Sequence, residues 1–186
     1  MELWQSRAEL GALKDRRTQN ESGAPKDSRR QDKLVLVPTM GALHDGHLSL
    51  VRAAAKLGDV VVSIFVNPTQ FGPGEDFEAY PRTLERDLDL LSALPVVGVF
   101  APPVQEIYSR AEEVTVQPGH RARGLCGGDR PGHFAGVLTV VNKLFNLLGP
   151  DMAVFGRKDA QQCLVIDQMV RDLKMPVRLV DVPTRR

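Results

Sequence analysis

The stretch from Leu34 to Leu50, LVLVPTMGALHDGHLSL, constrains the fold of this chain more than any other. A short apolar run, typical of a buried strand, stops at Pro38, and a turn of small residues through Gly41 follows it. Beyond His47, apolar residues recur at helical spacing. Strand, glycine-bearing loop and helix in this order form the unit in which an open α/β sheet presents a ligand to the amino end of a helix.

The loop carries two histidines in the order His-Asp-Gly-His. The spacing of His44 and His47 projects both imidazoles from one side of the first helical turn. Imidazole N–H groups bind phosphate oxygens, and the helix end adds free backbone N–H groups with a partial positive charge. Gly46 lets a ligand approach the backbone without a Cβ in the way. The pattern predicts a phosphate site, and a solvated turn capped by one histidine is the alternative.

Apolar runs and helical periodicities alternate along the rest of the chain. Further strands are predicted at 60–66, 96–101, 152–155 and 177–180, with a small edge strand at 114–116. A helix is predicted from residue 44 or 46 to 57, and others at 83–94, 134–148 and 160–173, with a turn or short helix at 104–108 and a loop at 117–132. This alternation is typical of a parallel, doubly wound, Rossmann-like α/β sheet, whose ligands bind beyond the carboxyl ends of the strands.

The first 32 residues are predicted to form an appendage to a domain at 33–186. Residues 18–32 are polar, contain Gly and Pro and lack an apolar period, so they are predicted to be a mobile linker. Apolar residues spaced among charges at 3–17 predict a short amphipathic helix, and they are Leu3, Trp4, Leu10 and Leu13.

Composition argues against several classes of protein. The chain has 24 Lys and Arg against 23 Asp and Glu, a balance that favours neither a nucleic-acid binder nor a membrane-surface protein. No apolar run approaches the ~20 residues that span a bilayer, and the first residues lack the apolar core of a signal peptide. Cys126 and Cys163 are interpreted as reduced thiols of a cytoplasmic protein.

Five sequence blocks accompany the histidine motif, which is itself typical of adenylate-forming and nucleotidyl-transferring α/β enzymes. In order they are PTMG at 38–41, NPTQF at 67–71, YPR at 80–82, RPGHF at 130–134 and KDAQQ at 158–162. The set resembles the pantothenate synthetase (pantoate–β-alanine ligase) family. The resemblance extends from about residue 33 to the end of the chain.

The resemblance implies a ligase that works in two steps. Pantoate attacks the α-phosphate of ATP, supplied as its Mg²⁺ complex, and gives pantoyl adenylate and pyrophosphate. The amine of β-alanine then displaces AMP and yields pantothenate. Such chemistry depends on positioning and on the stabilisation of spread negative charge. The resemblance also implies a homodimer and no tightly bound cofactor.

The resemblance further implies roles for individual residues. The catalytic contacts to the phosphates are His44, His47 and Lys158. The ATP site adds Met40, Gly46, Gly156 and Asp159, the last of which is also predicted to cap the following helix. The residues for pantoate and β-alanine are Pro38, Thr39, Met40, Asn67, Gln70, Arg130, His133 and Gln162, with Phe65 as added apolar wall. Asp87 matches an acidic position associated with magnesium. Taken singly, a lysine, a glutamine or a helical aspartate is most often a solvated surface group.

Three features depart from the family pattern. Cys126 and Arg157 stand where the family usually has glutamate, and Arg157 reverses a charge beside Lys158. The sequence ends at Arg186, before the family's second nucleotide signature and its smaller carboxyl-terminal lid domain, which are expected to be absent. Because loss of a lid exposes an adenylate to water, a truncated module that binds pantoate or nucleotide and turns over poorly is one alternative.

A nucleotidyltransferase that adenylylates a phosphate is the second alternative. It would use the same histidine motif on the same fold. Gln70 and Gln162 argue against it, because a phosphate acceptor calls for basic residues at those positions.

Overall fold

The computed structural model describes residues 1–11, 13, 33–108 and 113–183. The strands in this part of the chain are β1 Glu2–Trp4, β2 Leu34–Thr39, β3 Asp59–Ile64, β4 Val96–Phe100, β5 Met152–Gly156 and β6 Arg178–Val182. They form one sheet in the order β1-β4-β3-β2-β5-β6. Every neighbouring pair in it is parallel, as the alternating sequence pattern predicts.

Helices and short 3₁₀ turns connect the strands. The helices described in full are α1 Asp45–Ala54, α2 Leu84–Ser92, α3 Val104–Ile107, α4 Cys126–Asp129, α5 His133–Leu148 and α6 Ala160–Asp172. The 3₁₀ turns are Pro68–Gln70, His120–Ala122 and Arg157–Asp159. Within the described ranges, no helix has the length and apolar character needed to cross a membrane.

Both faces of the sheet are covered, because successive residues of a strand point to opposite sides. Leu34 and Leu36 of β2 pack into the apolar cluster that α5 and α6 complete. Val35 and Val37 pack into the cluster that α1 and α2 complete on the other face. Burial of each such side chain contributes roughly 1.5–3 kcal/mol. The doubly wound prediction is therefore confirmed.

The chain reverses its direction of travel across the sheet between β2 and β5. From β2 it proceeds through β3 to β4, and it then returns to the other side of β2 as β5 and β6. The pairing of β2 with β5 covers only Val35 with Met152 and Leu36 with Ala153, so these strands diverge before their carboxyl ends. A crevice opens there, which is where ligands bind in sheets of this kind.

The amino-terminal prediction is wrong in part. Glu2–Trp4 is a strand that pairs with β4 at the edge of the sheet, and it is not the start of a helix. The Trp4 ring lies against Gly98, where a Cβ would come within 2.2 Å of the ring. Three residues are too few to show a strand period, which explains the error. Helical conformation occurs at Gly11 and Leu13, whereas the rest of the predicted helix and the linker at 18–32 lie outside the described residues.

The predicted edge strand at 114–116 is also wrong. Val114 is 84% exposed, and the backbone N–H of Val116 donates to Thr139 Oγ1 of α5 at 3.0 Å rather than to a strand. The prediction rested on the β-branched residues of this run, and the tertiary context decided otherwise. The predicted loop at 117–132 contains one 3₁₀ turn and the short helix α4.

Candidate active site

The histidine loop lies between the end of β2 and the start of α1. His44 occupies the N-cap position, and its Nδ1 accepts a hydrogen bond from the backbone N–H of Gly46 at 3.0 Å. A Cβ on Gly46 would lie 2.7 Å from the His44 ring, so glycine is needed for the ring to fold back over it. His44 thus caps the helix, which the sequence analysis gave as the alternative to a phosphate site. Its ring centroid lies 4.1 Å from that of His47.

His47 is half-buried beside His44, and its surroundings favour the neutral imidazole. Burial lowers its pKa below the ordinary 6.5, and the nearby His44 and Lys158 lower it further, against the opposing effect of Asp87 and Asp159. The Nδ1 atom of His47 is buried, and no described residue offers it a hydrogen-bond partner. A neutral imidazole with an unused nitrogen is suited to a ligand that brings its own hydrogen-bonding oxygen.

Lys158 and Asp159 belong to the 3₁₀ turn that follows β5 across the crevice. Lys158 is exposed, and its ammonium group has no ion-pair or hydrogen-bond partner among the residues that the structure describes. It nevertheless lies near enough to His47 to lower the pKa of that imidazole. Asp159 occupies the N-cap position of α6 as predicted, but its side chain makes no capping hydrogen bond.

A cavity of about 160 Å³ opens beside His47 in this crevice. The apolar side of it comes from α5 and β5, and its residues are Val137, Val140, Val141, Leu144 and Phe155. Eight of the residues predicted for the site line it together: Pro38, Thr39, Met40, His47, Asn67, Gln70, Asp159 and Gln162. Phe65 and Tyr80 complete the wall. Residues that follow β2, β3 and β5 thus border one space, whereas the predicted contacts His44, Gly46, Gly156 and Lys158 are not among its lining residues.

Larger grooves occur elsewhere in the described structure. One of about 530 Å³ lies between the segment 116–121 and α5 and α6, and another of about 540 Å³ lies between α6 and β6. Neither includes His47, Gln70 or Gln162. The size of a cavity therefore does not identify the site. The polar groups that converge on the smaller cavity identify it.

The turn that carries Gln70 is pressed closely against α5. A Cβ on Gly136 would lie 2.2 Å from the carbonyl oxygen of Thr69 and 2.7 Å from the backbone nitrogen of Gln70. Asn67, which is 1% exposed, donates from Nδ2 to Oε1 of Gln70 at 3.1 Å and to the carbonyl of Gly136 at 3.2 Å. Nε2 of Gln70 donates in turn to Sδ of Met40 at 3.1 Å.

Arg130 and His133 are not among the residues that line the cavity, although the sequence predicts substrate contacts for both. His133 Nδ1 lies 2.8 Å from the carbonyl oxygen of Gln70, and Arg130 Nη1 lies 3.3 Å from His133 Nε2. Arg130 forms a two-pronged ion pair with Glu75. Both residues therefore contact the backbone carbonyl of Gln70 and support it from outside the cavity.

Asp87 has surroundings that do not fit the predicted magnesium ligand. Its side chain is fully buried, and its two carboxylate oxygens accept the backbone N–H groups of Ala42 and Leu43 at 2.9 and 2.8 Å. Thr83 Oγ1 also donates to it at 3.3 Å. Across the described ranges, no group of three or more His, Cys, Asp or Glu side chains is placed to hold a metal ion. Asp87 instead holds the loop that leads to His44, where Ala42 has a positive φ of 49°.

Three further residues that the sequence singles out, Arg157, Gly156 and Cys126, have simple local contacts. Arg157 forms an ion pair with Asp181 of β6, and both side chains are more than half exposed. A Cβ on Gly156 would meet only Leu50, at 3.7 Å, so packing within the chain does not require glycine there. Cys126 is exposed on α4.

Several residues that support the site were not predicted from the sequence. Gly136, inside an otherwise apolar helix, is the one that a sequence signal could have found, because an interior glycine marks a close backbone approach. Gln161 donates from Nε2 to the carbonyls of Arg121 and Gly124 and so ties α6 to the loop before α4. Glu75 and Tyr108 make their contacts across long sequence separations, which no local pattern reveals.

Comparison with known proteins agrees with the site that the geometry identifies. The family model described as pantoate-beta-alanine ligase matches residues 13–186. The chain belongs to this family. Membership accounts for the joint occurrence of the five ligase blocks with the histidine motif, and it confirms the resemblance stated from the sequence.

Individual relatives agree with this assignment. The pantothenate synthetase of Moorella thermoacetica is 59% identical over 152 residues, which are 81% of this chain and 54% of that ligase. A pantoate–β-alanine ligase structure from Thermus thermophilus has a TM-score of 0.87 at 48% identity, covering 100% of this chain and 63% of the other. The ligase from Francisella tularensis, complexed with β-γ ATP and β-alanine, has a TM-score of 0.86 at 37% identity, covering 100% of this chain and 68% of the other. The chain spans about half the length of the curated relative from Moorella.

Proposed function

We propose that this chain carries the pantoate and ATP sites for the ATP-dependent condensation of pantoate with β-alanine, and that it forms pantoyl adenylate with release of pyrophosphate. The observation that carries the proposal is the single cavity that His47, Gln70 and Gln162 border from three different elements. Family membership and the ligand-bound relative from Francisella tularensis support it further.

Pantoate fits the chemistry of the cavity. Gln70 and Gln162 offer amide groups that bind a hydroxyl and a carboxylate without adding charge. The apolar wall from α5 and Phe155 suits the branched hydrocarbon part of the substrate. The carboxylate oxygen would then be held as the nucleophile toward the α-phosphate.

ATP is assigned to the open side of the crevice, next to the amino end of α1. Negative charge builds up on the phosphates as the carboxylate attacks and pyrophosphate leaves. The helix end, His44, His47 and the ammonium group of Lys158 are the groups that would stabilise it. Met40, Gly46, Gly156 and Asp159 stay predicted contacts of the nucleotide. Magnesium enters as part of the ATP complex, and no residue of this chain is assigned to it.

The second step needs an amine that attacks the acyl carbon of the adenylate, with AMP as the leaving group. The relative from Francisella tularensis was solved with β-alanine, which supports that amine as the second substrate. Arg130 and His133 lie behind Gln70, so we assign them to the support of the pantoate site rather than to the amine. The predicted homodimer and cytoplasmic location stay predictions.

The test follows pyrophosphate and AMP separately. The chain is mixed with ATP, Mg²⁺ and pantoate, with and without β-alanine. We expect one equivalent of pyrophosphate with pantoate alone, and continued AMP release only when β-alanine is added. Gln70→Ala should abolish the pantoate-dependent burst, and Glu78→Gln, an exposed change in the loop that follows Gln70, should retain it. Absence of any pantoate-dependent pyrophosphate from the unmodified chain would refute the proposal.

A pantoate- and nucleotide-binding module that turns over poorly is the second candidate. The observation that favours it is that Lys158, the predicted cationic contact to the phosphates, is not among the residues that line the cavity beside His47. Saturable pantoate binding by calorimetry without pyrophosphate release would identify it. The neutral Gln70 and Gln162 disfavour a nucleotidyltransferase, whose phosphate acceptor would call for basic groups.

A further inference from the structure

We propose that Tyr108 is a positioning residue of the pantoate site: its hydroxyl acts through Asn67 to hold the NH₂ group of Gln70 toward the cavity. The inference rests on the proposed function, because it concerns why the proposed pantoate site binds a ligand oxygen that accepts a hydrogen bond. Tyr108 itself does not line the cavity.

The ring of Tyr108 is held in place from two sides. It follows α3 directly, and its centroid lies 6.2 Å from that of Phe65 on the cavity wall. The ammonium nitrogen of Lys143 lies 4.6 Å from the ring centroid and donates to the carbonyl of Ile107 at 2.8 Å. Cation–π contact and this hydrogen bond together restrict where the hydroxyl can lie.

The hydroxyl reaches the side chain of Asn67. Tyr108 donates to Oδ1 of Asn67 at 2.8 Å, and Oδ1 also accepts the backbone N–H and the hydroxyl of Thr69 at 3.3 and 3.0 Å. A backbone N–H can only donate, so the atom it contacts must be the amide oxygen. The orientation of the Asn67 amide is therefore decided by its donors, and Tyr108 supplies the shortest of these contacts.

Asn67 passes this orientation to Gln70. Its NH₂ group has two hydrogens, and both are used within the chain, on Oε1 of Gln70 and on the carbonyl of Gly136. Because Oε1 of Gln70 is committed as an acceptor, Nε2 is the group that remains for the cavity. One of its hydrogens meets the thioether of Met40, which is a weak acceptor, and the other is available to a ligand.

This arrangement determines what the cavity can bind. An NH₂ group binds a carboxylate or hydroxyl oxygen of a hydroxy acid. If the amide of Gln70 turned over, its oxygen would face the carboxylate of the substrate, and two acceptors would repel each other. A buried polar group left unpaired in this way strongly disfavours the ligand. Tyr108 therefore contributes to substrate selection without touching the substrate.

A double-mutant cycle on pantoate affinity tests the inference. Tyr108→Phe keeps the ring and removes the hydroxyl, and we expect the Kd for pantoate to rise about tenfold while that for ATP stays unchanged. In a Gln70→Ala background the same change should alter the pantoate Kd by less than about twofold, because the group it positions is gone. Equal losses in both backgrounds, or none in either, would overturn the proposal.

A substrate-free measurement separates this inference from the proposed function. In ¹⁵N-labelled chain, the side-chain NH₂ signal of Gln70, assigned by its loss in Gln70→Ala, should shift and exchange faster with water in Tyr108→Phe. Ser92→Ala removes an exposed hydroxyl that donates to the carbonyl of Asp89, and it should leave the signal unchanged. If the unmodified chain does not bind pantoate, the proposed function fails, and this signal still decides the role of Tyr108. An unchanged signal in Tyr108→Phe refutes it.

Discussion

Arg130 and Glu75 join two loops across 55 residues of sequence. Nε and Nη2 of Arg130 donate to the two carboxylate oxygens of Glu75 at 2.7 and 2.6 Å, and Nη2 also lies 3.4 Å from the carbonyl of Gln70. This paired geometry is the strongest form of an arginine–carboxylate contact. The ion pair therefore fastens the loop after Gln70 to the loop before α5, next to the cavity.

Glu75→Gln should loosen the loop after Gln70. We expect faster amide hydrogen exchange over residues 71–80 and a pantoate Kd raised a few-fold, because a neutral amide cannot replace the charge-assisted pair. Hydrogen exchange followed by mass spectrometry measures the first, and calorimetry the second. Glu78→Gln removes the same charge from the same loop without touching Arg130, and it should change neither. Unaltered exchange in Glu75→Gln would mean that the pair does not hold the loop.

The same ion pair predicts a pH dependence. Hydrogen bonds from Arg130, with a smaller contribution from the backbone of Gly72, lower the pKa of Glu75 from 4.5 to about 2. A carboxyl group with a lowered pKa stabilises the folded state above its unfolded value, and this contribution is lost as the pH falls through the folded value. The stability difference between the unmodified chain and Glu75→Gln should therefore be constant above pH 4.5 and shrink as the pH falls toward about 2. Urea unfolding at several pH values measures it, and a difference that grows in acid would contradict the assignment.

Asp87→Asn should destabilise the chain whether or not magnesium is present. In asparagine an NH₂ group replaces one of the two carboxylate oxygens that accept backbone N–H groups, so two donors face each other. A buried unpaired donor costs about 1–3 kcal/mol. Urea unfolding with and without Mg²⁺ checks this, with the exposed Asp89→Asn on the same helix as the control. A loss of stability seen only with Mg²⁺ would restore the metal-ligand hypothesis.

Gly136→Ala should displace the turn that carries Gln70. Alanine favours a helix over glycine by about 1 kcal/mol, but the added Cβ would lie 2.2 Å from the Thr69 carbonyl, and overpacking of this kind costs about 1–3 kcal/mol. We therefore expect a net loss of stability and weaker pantoate binding. Gly11→Ala, also at a helical position but with nothing within 4 Å of the new Cβ, should be neutral or stabilising. If the two variants behave alike, the close approach of α5 does not position Gln70.

Arg157→Glu should not tighten ATP binding on its own. The sequence identifies Arg157 as a charge reversal beside Lys158, but its guanidinium pairs with Asp181, whose pKa that hydrogen bond lowers. Glutamate at this position would face Asp181 and raise the pKa of that carboxyl, which NMR titration can follow. The charge-swapped pair Arg157→Asp with Asp181→Arg should restore the lowered pKa at the new carboxylate. A tighter ATP Kd in Arg157→Glu alone would show that the reversal acts on the nucleotide directly.

Much of the site was predictable because its parts are local. His44, Gly46 and His47 lie at the N-cap and first turn of one helix, and Lys158 and Asp159 belong to the turn that follows a buried strand. Parallel strands bring their carboxyl ends to one edge of a sheet, and of these residues His47 and Asp159 line the same cavity. The family blocks added the two glutamines, which carry no local signal of their own.

The errors and omissions have a common physical origin. Glu2–Trp4 is too short to show a period, and it is a strand only because β4 offers an edge for it to pair with. The surroundings of Asp87 and Arg130 follow from hydrogen bonds to residues 45 and 55 positions away. Polar side chains take whatever partner the fold brings near, and their sequence neighbours do not determine that partner.

The sequence by itself determined the parallel α/β sheet, the histidine loop at the amino end of α1 and the family to which the chain belongs, because apolar periodicity and short motifs are encoded by neighbouring residues. Only the tertiary structure decided that Asp87 braces a loop, that Arg130 fastens another, and that Tyr108 orients Asn67. Those roles depend on donors and acceptors that meet across the folded chain, where each buried polar group must find a partner.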